Sequence, residues 1–244
     1  VLYSYKGRYP CRNIEHNMAD LAAQVAANNT GIVEINAMIE QFGIETVHSY
    51  MNHVQDNAEE CIRNAIVNLK EGKYEYELDN GEYIRVRITI NKIKREATID
   101  FSGTAPKNPF NYNAPMALCH SVILYVFRTL VGNNIPLNEG CFKPLNIIIP
   151  NNSMINAKYP SAVIAGNTEV SQLTCNALFG ALGVIAGSQA TMNNFIWGND
   201  KIQNYETICG GTGAGPDFHG TSAVQTHMTN TRSTDPEILE ARFP

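Results

Sequence analysis

Basic side chains are scarce and scattered: Lys and Arg total 18 against 23 Asp and Glu, giving a net charge of −5. No run of Lys and Arg exists to lay along a phosphate backbone, which excludes a nucleic-acid-binding face. Long apolar runs are also missing. The longest, "MALCHSVILYVF", is interrupted by His120 and Ser121 and followed by Arg128, short of the roughly 18 residues that a membrane helix requires. The six cysteines (Cys11, Cys61, Cys119, Cys141, Cys175, Cys209) form no C-x-x-C pair, so neither a zinc ligand set nor a redox motif is signalled. H-E-x-x-H and G-x-S-x-G do not occur, and His48 and His53 are poorly spaced to share a metal. The opening "VLYSYKGRYPCRN" has no initiator Met and no basic region followed by an apolar one, and "LEARFP" ends without a closing signal. The expectation is a reduced, cytoplasmic, internal piece of a longer chain.

What is present is a globular composition, 44% hydrophobic and 17% charged. The first third has helical periodicity. Asn13 caps a segment with Met18, Leu21, Ala22 and Val25 on one face, Asn28-Asn29-Thr30 reads as a break, and "GIVEINAMIEQF" gives a second helix ending at Gly43. A third runs from Ile44 to about Leu69, and Gly72 closes it. From Lys73 the period becomes two: "YEYEL", "YIRVRITI" and "EATIDF" are strands, the first two joined at Asp79-Asn80-Gly81, with Arg85 and Arg87 on a wet face. A polar loop over 100–115 precedes a helix from about Met116 to Val131. "KPLNIIIP" reads as a buried strand bounded by prolines, Thr168 to about Ala186 as a helix, "NFIWG" and "YETIC" as short strands, and "DPEILEA" as a short acidic helix. The fold class expected is α+β: a helical region over 1–72 packed against a mixed α/β body over 73–244, with antiparallel strands and glycine-rich loops.

The loops carry the polar chemistry. "CGGTGAGPDFHG" invites a phosphate-cradle reading, but a P-loop needs a lysine that is missing. In a dinucleotide fingerprint Pro216 would stand where the third glycine belongs, with no helix pattern after it. A tight turn is the simpler account; the other is a loop bringing backbone to a site that uses Asp217, His219 or His227. A lone histidine such as His227 is more often a hydrogen-bonded structural residue than a catalyst. Asn230, Thr231 and Arg232 are suited to a carboxylate or phosphate, since a guanidinium meets such oxyanions with two parallel bonds. In "AGNTEVSQ", Asn167, Thr168, Glu169 and Gln172 stand at a helix start. That place offers either an anion site on free N–H groups or simple capping by Asn167 or Thr168. These residues make a pocket but not a complete catalytic machine.

The blocks "DFSGTAPKNPFNYNAP", "PSAVIAGNTEVSQ", "ALFGALG", "SQATMNN" and "YETICGGTGAGPDFHGTSAVQTHMTNTRSTDPEILEARFP", in this order after "NMADLAAQVAANNTGIVEINAMIEQFG" and "YMNHVQDNAEE", resemble successive blocks of the hydantoinase B/oxoprolinase family. Within it, the "HMTNTRSTDPE" block is most similar to 5-oxoprolinases and N-methylhydantoinase-type relatives. The resemblance implies an ATP-dependent amidohydrolase that opens a cyclic amide, such as 5-oxoproline to glutamate. An A-type half would carry the ATP site and phosphorylate the lactam oxygen, while the B-type half completes water addition and ring opening. It also implies a divalent metal for the whole enzyme and an oligomeric complex. The family's N-D-P-x-x-G-G-T-H-x-x-D block, suited to a metal, is absent from this stretch. No metal ligands are therefore assigned here, and the fragment alone is expected to be inactive. Candidate catalytic residues are Glu169, Asp217 and His227; candidate substrate-binding residues are Asn167, Gln172, Asn230 and Arg232. The alternatives are a structural or assembly segment of such a complex, or an acetone carboxylase-like subunit.

Overall fold

A computed structural model describes residues 3, 11, 13–132, 134–229 and 235–242. The chain divides into two compact units, 1–54 and 55–244, a boundary earlier than the compositional change at residue 72. In the first unit, α1 (Ile14–Phe42) starts at Asn13, whose side chain accepts from the N–H of His16. It ends at Gly43, where φ is +80° and the N–H bonds Ile39 O at 2.8 Å, a conformation glycine adopts without a Cβ penalty. The break expected at Asn28-Asn29-Thr30 does not occur. Thr30 turns its hydroxyl back to Ala26 O at 3.1 Å, so its side chain is satisfied inside the helix and does not compete for the backbone. α2 (Ile44–Val67) follows and crosses into the second unit.

The second unit is built on a four-stranded sheet in the order β1 (Gly72–Glu77), β2 (Tyr83–Asn91), β3 (Glu96–Asp100) and β4 (Leu145–Ile148). β1, β2 and β3 form an antiparallel meander and β4 joins β3 in parallel. The register puts Tyr74 and Tyr76 beside Val86 and Ile84, then Ile88 beside Ile99 and Ile99 beside Ile147, all on one apolar face. The opposite face carries Glu75 and Arg85, paired at 3.2 Å, as strand alternation requires. Gly72 opens β1 and does not close the helix before it. β4 is a half-buried edge strand: it has one neighbour, and Asn146 and Ile148 point away from the core, the setting in which flanking prolines are tolerated.

Against the apolar face lies α4 (Ser171–Leu182), preceded by a π-helical turn over Gly166–Val170. Every residue of α4 except Gly180 is buried, which is the condition of a helix apolar nearly all round. Gly180 faces the ring of Tyr74, where a Cβ would come within 2.7 Å. Gly183, at φ +65°, stops the helix at Leu182, earlier than the expected Ala186. α3 (Met116–Thr129) packs on α4 and buries Cys119, Val122, Ile123, Val126 and Phe127. Ala58, Ile62 and Ile66 of α2 complete this core. β5 (Asn193–Gly198) and β6 (Gln203–Ile208) form a separate antiparallel ribbon, and α5 (Pro236–Arg242) is short.

No described helix is long and apolar enough to cross a membrane. All six thiols are free. Burial pushes Cys119 up to about 12 and raises Cys175 as well, so both behave as inert core groups.

Candidate functional site

The polar loop over 100–115 is shaped by Asn113, which is fully buried. Its carbonyl accepts from Asn108 N at 2.6 Å, and its amide nitrogen faces the carbonyls of Asn108, Phe110 and Ala162, each at 2.9 Å. This clamp presents Tyr112 to a cleft of about 370 Å³ whose walls include Tyr76, Asp79, Glu169, Leu173, Gln189 and Thr191. The volume lies at the lower end of the range for small-molecule sites, roughly 300–1,000 Å³.

Glu169 enters this cleft from the π-helical turn, a feature common at functional sites because the wide turn re-aims its side chains. Neither Asn167 nor Thr168 caps the helix: no side-chain cap bond forms at either start, and Asn167 is exposed, its carbonyl taken by the Ser171 hydroxyl at 2.7 Å. The Glu169 carboxylate instead receives the Thr191 hydroxyl at 2.5 Å. Burial raises the Glu169 carboxyl above its ordinary range, the Thr191 bond draws it part of the way back, and the charge of Asp79 adds to the rise.

One helical turn on, Gln172 is 2% exposed and donates to Thr229 Oγ1 at 2.8 Å. The other end of its amide, Oε1, is buried with no partner among the described residues. It lines a narrow crevice with Ser188, Thr207, Gln225, Thr226 and Thr229. Gln189, Ala190 and Thr191 are common to this crevice and to the Glu169 cleft. Segments at 112, 169–173, 188–191, 207–211 and 225–229 therefore converge on one region at the head of α4.

His227 lies in the strap over 225–229 that also carries Thr229. Its ring meets Phe179 at 5.3 Å and Tyr125 at 6.0 Å between centroids, and its Nε2 is buried without a partner among the described residues. Burial lowers its pKa to about 4, so the ring is neutral at pH 7. Because the folded value lies below the ordinary 6.5, the unfolded strap binds more protons between those values. Stability from this residue is complete above pH 6.5 and is lost as pH falls toward 4. Protection factors of the amides across 225–229 are expected to fall from pH 7 to pH 5, and His227→Asn, which tolerates the local φ of +55°, is expected to remove that fall.

Asp217 is exposed, at a turn closed by Gly215 N to Phe218 O at 3.0 Å, and His219 is exposed beside it. The glycines before it serve close packing: a Cβ on Gly213 would lie 1.9 Å from Ala186 O. Ala214, Gly215 and Pro216 line a neighbouring cavity of about 390 Å³ with Tyr74, Tyr76 and Asn176, and Tyr76 is shared with the Glu169 cleft. Asn230, Thr231 and Arg232 lie outside the described residues. Thr191, Gln189, Tyr76 and Asp79 escaped the sequence reading; Thr191 sits inside the quoted "SQATMNN" block, but no spacing rule ties it to Glu169.

Among the described residues no group of three or more His, Cys, Asp and Glu side chains could hold a metal ion.

The chain belongs to the hydantoinase B/oxoprolinase family, whose model matches residues 4–244. It is 43% identical to 5-oxoprolinase 1 of Arabidopsis thaliana and 41% identical to 5-oxoprolinase of Dictyostelium discoideum, in each case over 96% of this chain. It spans only about a fifth of the length of these relatives, 20% and 19% respectively. The fold is similar to that of an ATP-dependent caprolactamase from Pseudomonas jessenii, with a TM-score of 0.73 at 21% identity over 94% of this chain and 44% of that one. It is also similar to an acetone carboxylase structure, with a TM-score of 0.67 at 14% identity over 85% of this chain and 32% of that one.

Proposed function

We propose that this chain forms one wall of the active site of an ATP-dependent cyclic amidohydrolase of the 5-oxoprolinase/hydantoinase type. The whole enzyme would open a lactam such as 5-oxoproline to glutamate, with ATP handled by an A-type half. A lactam carbon accepts water readily only after its oxygen is phosphorylated. When the ring C–N bond then breaks, the nitrogen must take up a proton. Glu169 is the group proposed to deliver it: a carboxyl raised by burial holds a proton nearer neutral pH than an exposed one does. The observation that carries the reading is the cleft in which Tyr112, Glu169 and the Gln189–Thr191 segment, from three separate parts of the chain, meet.

The described lining of this cleft contains Glu77, Asp79 and Glu169 and no Lys or Arg. A substrate carboxylate therefore needs a cation from elsewhere, and Arg232 is the proposed ligand, with Asn230, Asn167 and Gln172 proposed as further polar contacts. The test is an assay of the intact enzyme for glutamate release. Release that requires both ATP and 5-oxoproline is expected; activity confined to acetone carboxylation, or none on any lactam or hydantoin, would sink the reading.

A second reading, an assembly segment that docks the A-type half, is favoured by one observation. The β5–β6 ribbon exposes Phe195, Ile196, Trp197 and Tyr205, and a two-stranded ribbon is only marginally stable without a packing partner. Under that reading Glu169 substitutions leave turnover intact.

A further inference from the structure

The residues that hold Glu169 in place lie downstream of it, and none was evident from sequence. Thr191 closes the 188–191 strap, and this strap is pinned from α4 by Asn176, which is 3% exposed. The Asn176 carbonyl accepts from Ser188 N at 3.0 Å and from the Ser188 hydroxyl at 3.2 Å, while its amide donates to Ser188 O at 3.3 Å. The Ser188 hydroxyl in turn takes Ala190 N at 3.3 Å. Ala190 is buried at φ +67°, a left-handed conformation that is strained for a non-glycine residue and persists only where neighbours impose it. Gln189 and Asn193 bond reciprocally at 3.2 and 2.6 Å, and Met192 N reaches Thr168 O at 3.2 Å. A strap held this way at both ends, with a left-handed residue immediately before Thr191, is built to aim one hydroxyl. That hydroxyl points at Glu169.

We infer that Thr191 is a positioning residue for the Glu169 carboxyl, and that Asn176 sets Thr191 through the Ser188–Ala190 strap. This inference rests on the reading of Glu169 as the proton donor. A hydroxyl that donates to one carboxylate oxygen fixes the rotamer and leaves the other oxygen to carry the proton toward the substrate. It also favours the charged form, so its removal shifts the group's titration upward. Asn176 stands seven residues after Glu169, about two helical turns or ~10 Å along the axis, too far to exert that effect by contact.

The test is made in the intact, full-length enzyme with Thr191→Val, Thr191→Ser, Asn176→Ala and Glu169→Gln. Thr191→Val is expected to lower kcat on the order of ten-fold with KM little changed, and to move the alkaline limb of the kcat profile to higher pH. Thr191→Ser, which keeps the hydroxyl, restores both. Asn176→Ala reproduces the Thr191→Val profile in attenuated form; if it is not recovered folded, the Thr191 pair decides the matter. Loss of activity in Glu169→Gln together with a wild-type rate and limb in Thr191→Val overturns the positioning role and leaves the proton-donor reading standing. Wild-type turnover in Glu169→Gln overturns the reading itself.

Discussion

Glu169→Gln in the intact enzyme is expected to lower kcat by roughly 10²–10³-fold, within the range that a positioned general acid contributes. The substitution is close to isosteric. Gln keeps an acceptor for the Thr191 hydroxyl at the position where the carboxylate now receives it at 2.5 Å, so the strap and the cleft wall should stand. What Gln lacks is an acidic proton to place on the departing ring nitrogen. The pH profile gives a second readout. Burial raises the Glu169 carboxyl, and the acid is competent only while protonated, so wild-type kcat is expected to fall as pH rises through that raised value. The Gln variant should lose this limb, and Glu169→Asp should keep it at reduced rate. Equal kcat in wild type and Gln variant, with ATP and lactam both saturating, would remove Glu169 from the chemistry.

The largest effect on stability is expected at Gly72, where β1 presses on α4. A Cβ there would lie 1.9 Å from the backbone oxygen of Ala181. Neither partner is a flexible side chain: one is a strand of the central sheet, the other a helix buried nearly all round. Relief requires moving α4 off the sheet, which would also disturb Gly180 against the Tyr74 ring. Gly72→Ala is thus expected to cost about 2–3 kcal/mol, the upper part of the usual range for overpacking. That is a fall in Tm of several degrees at ~2–4 °C per kcal/mol for a domain of 150–250 residues. Gly81→Ala is the control: its φ of +78° carries strain but nothing stands within 4 Å, so its loss should be smaller. Thermal unfolding of the two variants decides it, and an unchanged Tm in Gly72→Ala would mean that the strand and helix are not in the contact described.

Much of the architecture was legible because it rests on local patterning. The switch from a helical period to alternation at Lys73 marks where β1 begins, and Arg85 and Arg87 declared the wet face that the register confirms. Two errors have local causes as well. Asn28-Asn29-Thr30 resembles a helix break, yet a threonine can satisfy itself against the preceding turn, as Thr30 does. "KPLNIIIP" resembles a buried strand, but hydrophobicity does not reveal which strand takes the edge of a sheet. The candidate site was partly legible. Glu169 and Gln172 stood out as polar residues at the head of an apolar helix, and both reach the region where the loops converge. Thr191 and Asn176 did not stand out, because their role exists only through a bond across twenty-odd residues and a pin from the far side of α4. Asp217 drew notice for its glycine-rich surroundings, and those glycines prove to admit close backbone packing around a surface turn.

The β5–β6 ribbon has a practical use. The sequence contains a single tryptophan, and it sits on this ribbon as Trp197, half exposed. An indole in water emits at longer wavelength than one in an apolar contact, so Trp197 is a spectroscopic sentinel for that surface. Its emission distinguishes a bare ribbon from a covered one without any label.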